Sequence, residues 1–72
     1  KVFVAGTFNN WDPEANPLQR VGSDGTYRAR LAIPRGRHEY RFVVNGVWIT
    51  DPRNPHCVPN GLGGTNSVLH VL

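Results

Sequence analysis

The sequence predicts an all-β fold, a small antiparallel β-sandwich of five or six strands. Turn-forming segments recur at short, even intervals and separate runs rich in Val, Ile, Tyr, Phe and Leu, a spacing typical of all-β domains. No segment shows sustained helical periodicity or a capping box at a helix start. The turn-forming segments are "GTFNNWDP", "GSDG", "IPRG", "VNG", "TDPRNPH" and "PNGLGG".

The clearest predicted strand runs from Thr26 to Ile33. Apolar side chains alternate along it with polar or small ones, which gives a period of two and one apolar face. Arg28 and Arg30 lie on the other face, so we expect both to point into solvent. The apolar face consists of Tyr27, Ala29, Leu31 and Ile33.

A second strand and a tight hairpin are predicted after the "PRGR" turn. Asn45-Gly46 favours a type I′ turn, because both central residues of that turn adopt left-handed conformations. We therefore expect Val47 to Thr50 to return antiparallel to the strand before the turn. One face of that strand carries Tyr40, Phe42 and Val44, and the other carries Glu39, Arg41, Val43 and Asn45.

The first and last segments complete the predicted sheet. Lys1 to Ala5 is predicted as the opening strand, and Ser67 to Leu72 as the closing strand. Because the opening strand is partly apolar on both faces, we expect a neighbouring segment to cover the second face.

The chain has the size of one domain. A domain of 72 residues has a modest core and buries only about 60% of the surface that its unfolded chain exposes. The sequence contains no methionine and opens with "KVFVAG", within a predicted strand. We therefore interpret residues 1–72 as a single module excised from a longer chain. No apolar run approaches the roughly 20 residues of a membrane helix, and we predict no membrane partner.

Cysteine content and charge bear on compartment and partners. Cys57 is the only cysteine, so packing must hold the fold, and a reducing, cytoplasmic compartment is favoured. The formal net charge of +3 can keep a small domain soluble, and it also suits an anionic partner.

The sequence does not predict a thiol nucleophile or a metal site. Cys57 follows His56, but adjacent residues of an extended chain point to opposite faces, and nothing identifies a third group to orient them. His38, His56, Cys57 and His70 lack the paired ligand spacing of a zinc site. We predict no catalytic residue, metal or cofactor.

The five carboxylates do not form a recognisable catalytic pair. Asp12 and Asp51 each precede proline and Asp24 precedes Gly25, which are turn positions where a short carboxylate can bond nearby backbone amides. A chain of this size offers little cleft, and it has no phosphate-binding glycine motif. The sequence therefore predicts a protein that is not an enzyme.

Trp11 and Trp48 instead predict a binding surface. Both lie beside turns and Asp-Pro steps, which favours partial exposure, although a tryptophan can also plug the end of a small sandwich with its N–H bonded to a carbonyl. Exposed indoles would form a platform for a pyranose ring, which has an apolar face and polar edges. Arg41 is expected on the solvent face, where it could contact hydroxyl groups. Single-stranded nucleic acid would stack on the same groups and is the rival ligand.

Three stretches of the sequence resemble a known family. "VAGTFNNWDP", "IPRGRHEYRFVVNGVWITDP" and "GLGGTNSVLHV" together resemble the glycogen-binding domain of the AMP-activated protein kinase beta subunits, within carbohydrate-binding module family 48. The resemblance covers almost the whole chain in order. It implies an immunoglobulin-like β-sandwich that binds α-1,4-linked glucans, such as glycogen, starch and malto-oligosaccharides, without cleaving them.

The resemblance also implies a set of sugar-binding residues. Trp11 and Trp48 match the two stacking tryptophans of the family. Arg41 stands where the family usually has lysine in "HxYKF", and an arginine keeps the charge but offers a planar fork of donors. Leu62 and Asn66 match the leucine and asparagine of a late loop.

The late loop departs from the family pattern at one position. Gly64 stands where the family has threonine, and Thr65 follows one residue later. Either Thr65 substitutes through a shifted loop, or one hydrogen bond to the sugar is missing. Asn60 is a further candidate contact.

Two functions other than glucan binding stay open on the sequence. The first is a structural or protein-interaction module that has lost sugar binding and packs on a catalytic or kinase domain of its parent protein. The second is binding of single-stranded nucleic acid, whose affinity would fall steeply with salt. The primary prediction is an α-glucan partner, with no nucleic acid.

Overall fold

The computed structural model describes residues 1–72, which form seven β-strands and no helix. The strands are β1 (Val2–Gly6), β2 (Pro17–Val21), β3 (Thr26–Arg28), β4 (Gly36–Val44), β5 (Val47–Ile49), β6 (Cys57–Pro59) and β7 (Thr65–Val71). They form one antiparallel sheet in the order β3-β2-β1-β4-β7-β6, and β5 pairs with β4. This confirms the predicted all-β class, with seven strands where five or six were expected. No element is a helix of the length and apolarity needed to cross a membrane.

The long strand β4 organises the sheet. Its second half pairs with β1 along one edge, where Phe42 lies opposite Val4. Its other edge pairs with β7 along the first half of the strand and with β5 along the second half. Residues directly opposite each other in an antiparallel pair project from the same face. Elements distant in sequence therefore place side chains side by side across β4.

The predicted hairpin is confirmed. Asn45 and Gly46 have φ values of 50° and 83°, which are the left-handed conformations that a type I′ turn needs. Val44 pairs with Val47 across this two-residue loop, and Trp48 lies opposite Val43. The turn therefore fixes the register that sets the face on which Trp48 projects.

The strand predicted from Thr26 to Ile33 is only partly correct. Its ladder ends at Arg28, and residues 29–33 have no partner strand. The alternation in burial persists, since Leu31 and Ile33 are half-buried while Arg30 is exposed. The partner strand β2 begins at Pro17, which has no N–H with which to extend the ladder. A period of two thus predicted which side chains face inward but not where the hydrogen-bonded pairing ends.

The side chains of the 27–33 segment contribute to the inner face of the fold. Tyr27, Ala29, Leu31 and Ile33 line an apolar cavity of about 310 Å³. The sheet supplies the rest of the lining, including Val4, Leu18, Tyr40, Phe42 and Leu69.

Strands β2 and β6 were not predicted from the sequence. Each is short and includes a proline, and neither shows a clean alternation of apolar and polar residues. They pair with the longer strands β1 and β7, and it is this pairing that makes them strands. Local sequence pattern is weak for such segments, because tertiary context decides their conformation.

The turn roles predicted for three aspartates are confirmed. Asp12, Asp24 and Asp51 each accept a hydrogen bond from the backbone N–H two residues later, at 2.9, 3.0 and 2.9 Å. The bonds that Thr26 donates are the main cause that lowers the pKa of the Asp24 carboxyl below its usual range. These carboxylates are engaged in shaping turns.

A polar network anchors the loop after β5 to the sheet. The Tyr40 hydroxyl donates to Asp51 at 2.6 Å, and the Asp51 backbone N–H donates to the Ser67 hydroxyl at 3.1 Å. Asn54 donates to the Val68 carbonyl at 2.9 Å and to the Tyr40 hydroxyl at 3.2 Å. Burial, followed by the bond to Asp51, raises the pKa of Tyr40. The network ties the residues after Trp48 to β4 and β7.

Candidate functional site

Six side chains from different elements meet at one cavity of about 430 Å³. Trp11 comes from the turn after β1, Arg41 from β4, Trp48 from β5 and Asn66 from β7. Asn60 and Leu62 come from the loop between β6 and β7. The structure thus brings together Trp11, Arg41, Trp48, Leu62 and Asn66 from the predicted set, together with the further candidate Asn60.

The two indoles form an angled pair. Their ring centroids are 6.5 Å apart and their planes meet at 40°. Trp48 is 36% exposed and Trp11 is half-buried, so neither ring is enclosed in the core. An inclined pair of this kind presents two apolar surfaces to a ligand that curves between them.

The turn that carries Trp11 is held by Asn9. The Asn9 amide accepts a bond from the Gly6 backbone N–H at 2.9 Å and donates to the Val4 carbonyl at 3.0 Å. It also donates to the Asn16 side chain at 2.6 Å. The motif "FNNW" predicted a turn but not this role of Asn9, although an asparagine in a turn is a known signal for side-chain bonds to backbone.

Trp11 itself adopts a strained backbone conformation. Its φ is 59°, a left-handed value that bulky residues rarely adopt, and Asn10 before it has a φ of 57°. The Trp11 backbone N–H donates to the Gly6 carbonyl at 2.9 Å and so closes the turn. Strain of this kind persists where the surroundings enforce it, and it commonly lies at functional sites.

Arg41 lies beside the indoles with most of its donors free. In the β1–β4 pair it faces Ala5, and its Nη2 donates to the Trp48 carbonyl at a long 3.4 Å. Its Nε is shielded from solvent and has no hydrogen-bond partner. A buried donor without a partner is unfavourable, so the guanidinium has unmet capacity for acceptors such as sugar hydroxyls.

Asn60 shapes the late loop. Its side-chain oxygen accepts bonds from the backbone N–H of Leu62 at 2.8 Å and of Gly64 at 3.1 Å. Its own backbone N–H donates to the Gly64 carbonyl at 3.0 Å. Leu62, at the tip, is 89% exposed. Asn60 therefore supports the loop that presents Leu62, in addition to lining the cavity.

Thr65 is not brought to the cavity. Its hydroxyl lies 3.0 Å from that of Thr50, which also donates to the Thr65 carbonyl at 3.1 Å. A sugar contact by Thr65 would need a shifted loop and stays a prediction. A Cβ built on Gly64 would lie 3.2 Å from the Asn60 amide nitrogen, so a threonine there would press on the side chain that supports the loop.

Asn66 is held by a neighbour that sequence analysis did not assign to the site. Asn66 is 9% exposed, and its amide nitrogen donates to that neighbour, Glu39, at 3.0 Å. The other carboxylate oxygen of Glu39 accepts from Arg37 at 2.9 Å, which makes an ion pair. The bond from Asn66, followed by the bond from Arg37, lowers the pKa of the Glu39 carboxyl.

Cys57 and the histidines lie apart from this cavity. Cys57 is exposed and free, and the rings of His56 and His70 pack with centroids 5.8 Å apart. His38 is bonded to Thr7 and to the Pro34 carbonyl, at 3.1 and 2.8 Å. The structure contains no group of three or more His, Cys, Asp or Glu side chains that could hold a metal ion.

Comparison with known proteins identifies the family of the chain. The family described as the glycogen recognition site of AMP-activated protein kinase matches residues 1–72. The chain is 41% identical over 71 residues to 5'-AMP-activated protein kinase subunit beta-2 of Mus musculus, covering 99% of this chain and 25% of that protein. It is 39% identical over 71 residues to the beta-1 subunit of Sus scrofa, covering 99% of this chain and 54% of that sequence. The chain spans about a quarter of the length of the first of these relatives. These matches confirm the resemblance, and the chain belongs to the family of the glycogen recognition site of AMP-activated protein kinase.

Proposed function

We propose that this chain binds α-1,4-linked glucans without cleaving them. Trp11 and Trp48 stack on sugar faces, Arg41 and Asn66 bond hydroxyl groups, and Leu62 packs into the hollow of the curved glucan. The observation that carries the proposal is the convergence of these five side chains, each from a different strand, turn or loop, on one open cavity. Membership of a glycogen-recognition family supports the same class of ligand.

The shape of the cavity favours an α-linked chain over a flat one. An α-1,4-glucan curves as a helix, whereas a β-1,4-glucan is extended and flat. The two indole planes meet at 40°, so two successive sugars stack on both rings only if their faces are also inclined. Leu62, projecting at the loop tip, would fill the inner side of such a curve.

The polar groups match the hydroxyl edges of a sugar. The guanidinium of Arg41 can only donate hydrogen bonds, whereas the amide of Asn66 can also accept them through its oxygen. A vicinal pair of hydroxyl groups both donates and accepts, so these two residues can serve adjacent hydroxyls. The contact surface is small and the sugar gives up bound water, so we expect a Kd between about 1 μM and 1 mM, or roughly −8 to −4 kcal/mol.

The residues that line the cavity suit the binding of a sugar and do not suit the hydrolysis of a glycosidic bond. No carboxylate is among the residues that line the cavity, so no pair of acids flanks the place where a glycosidic bond would lie. We therefore infer a non-catalytic role, in which the module attaches a larger protein to a glucan. We propose that the larger protein is a kinase subunit, because the relatives are beta subunits of 5'-AMP-activated protein kinase and the family is a glycogen recognition site. A cytoplasmic setting is part of this proposal.

The test is an NMR titration with maltoheptaose, with cellohexaose as the matched β-linked control, at low and high salt. We expect saturable shifts of both indole N–H signals and of the amides of residues 61–66 with maltoheptaose alone. Salt should have little effect, because the ligand is neutral. Unmoved indoles at millimolar maltoheptaose would exclude the proposal. Binding of an oligonucleotide that weakens steeply with salt would favour the nucleic-acid alternative instead.

A further inference from the structure

Glu39 lies beside the proposed sugar site but does not line it. It is on β4, two residues before Arg41, and therefore on the same face of the sheet. Across the β4–β7 pair it faces Val68, two residues beyond Asn66. Its carboxylate reaches back along β7 to the Asn66 amide nitrogen, 3.0 Å away.

This contact decides which way the Asn66 amide points. The amide has a donor end and an acceptor end of nearly equal size, and an isolated amide can turn to present either. A carboxylate has no donor, so it selects the nitrogen end. Asn66 makes no other side-chain hydrogen bond, which leaves its oxygen as the free acceptor beside the donors of Arg41.

Arg37 holds the carboxylate in place from the other side. Its guanidinium donates to the second oxygen of Glu39 at 2.9 Å. The backbone of Glu39 is also fixed, since its N–H donates to the Thr7 hydroxyl at 3.2 Å and its carbonyl accepts from the Thr7 N–H at 2.9 Å. Side chain and backbone together give Glu39 one orientation.

We propose that Glu39 is a positioning residue, whose carboxylate locks the Asn66 amide with its oxygen presented to the glucan. The inference rests on the proposed function and names a residue that acts through Asn66 without touching the sugar. Without the carboxylate, the Asn66 amide can turn by about 180°. Its nitrogen, a donor, then lies beside the donors of Arg41 in the place where the sugar needs the acceptor oxygen.

The ionisation of Glu39 gives this role a distinctive readout. The groups that face Glu39 are Arg37 and Arg41 on β4, Asn66 and His70 on β7, and Thr7 after β1, and Arg37 is the ion-pair partner. The bonds from Asn66 and Arg37 lower the pKa of the Glu39 carboxyl. The ionised carboxylate therefore holds the Asn66 amide fully at any pH above the ordinary glutamate pKa of about 4.3. This hold is lost as pH falls through the lower pKa that Glu39 has in the folded protein.

The test compares Glu39→Ala and Glu39→Gln with the wild-type chain, by calorimetric titration with maltoheptaose at about pH 7 and at stepwise lower pH down to about 3.5. Glu39→Ala should raise Kd by about 3- to 10-fold at neutral pH, the range of one net hydrogen bond. Glu39→Gln carries a donor as well as an acceptor, as the protonated acid does, so it no longer selects the nitrogen end of Asn66 and should also bind maltoheptaose more weakly than the wild type at neutral pH. The wild type should lose affinity in acid, whereas Glu39→Gln should not show that loss.

The side-chain amide signals of Asn66 test the lock without any sugar. In the free protein they should shift or broaden in both Glu39→Ala and Glu39→Gln, while a thermal melt reports whether each variant is folded. Unchanged Asn66 signals in Glu39→Ala, or the same acid loss in Glu39→Gln as in the wild type, would overturn the positioning role. A wild-type chain that binds no maltoheptaose at neutral pH would instead overturn the proposed function, and with it any role of Glu39 in binding.

Discussion

Replacing Trp48 with alanine is expected to weaken maltoheptaose binding about tenfold while the domain stays folded. Trp48 is 36% exposed, which leaves on the order of 80 Å² of a side chain that carries about 200–250 Å². A stacked sugar face would cover most of that area, about 60 Å². At about 25 cal/mol per Å² this burial corresponds to about 1.5 kcal/mol, or roughly a tenfold change in Kd.

The neighbouring residue provides a matched control. Ile49 is 37% exposed and follows Trp48 on β5, so its side chain projects from the opposite face of the sheet. Ile49→Ala should leave Kd within about twofold of the wild type, since it removes a similarly exposed apolar group away from the site. Calorimetric titration measures both Kd values, and thermal melts establish that both variants are folded. Equal Kd values for folded Trp48→Ala and the wild type would refute the assignment of Trp48 to the sugar surface.

Three further predictions separate binding from stability. Leu62→Ala should weaken maltoheptaose binding by about 1 kcal/mol yet leave the free energy of unfolding within about 0.5 kcal/mol, because Leu62 is 89% exposed. Asn9→Ala should lower the free energy of unfolding by about 1–3 kcal/mol and also weaken binding, since it removes three hydrogen bonds from the turn that carries Trp11. Gly6→Ala should destabilise the domain by about 2 kcal/mol or more, because its Cβ would lie 2.5 Å from the Glu39 carbonyl oxygen and 2.6 Å from the Phe8 ring. Urea unfolding and calorimetric titration measure these quantities.

Each of these predictions has a result that would contradict it. A Leu62→Ala variant with unchanged Kd would remove Leu62 from the site. For Asn9 the control is Asn10→Gly, which keeps a left-handed φ of 57° accessible and should stay within about 0.5 kcal/mol of the wild type. Equal stability of Asn9→Ala and Asn10→Gly would show that the Asn9 bonds do not hold the turn. Wild-type stability of Gly6→Ala would show that the backbone at Gly6 can move away from Glu39.

The sequence pattern was sufficient to predict those elements whose conformation depends only on neighbouring residues. The type I′ turn follows from the left-handed preferences of Asn45 and Gly46, and the turn roles of the three aspartates follow from the reach of a short carboxylate. Alternation also predicted that Leu31 and Ile33 face inward. The extent of pairing was not predictable in the same way, since the β2–β3 ladder ends at the Gln19–Arg28 pair although the apolar alternation continues to Ile33.

The residues of the candidate site also differ in how far the sequence predicted them. Trp11, Trp48 and Arg41 were predicted from their positions beside turns and on a solvent face, and the resemblance to a family then added Leu62 and Asn66. Thr65 lies one residue after the position that the family fills with threonine, its hydroxyl is 3.0 Å from that of Thr50, and its contact with a sugar stays a prediction.

By itself, the sequence determined the all-β class, the hairpin that orients Trp48 and the residue types available to a sugar. Only the tertiary structure decided how those residues meet, because Trp11, Arg41 and Asn66 are brought together by pairing between strands far apart in the chain. It also revealed that Asn9 bonds to the backbone of the turn that carries Trp11 and that Glu39 accepts a hydrogen bond from Asn66. Such supporting contacts join residues up to 27 positions apart, and no local periodicity records a hydrogen bond across that distance.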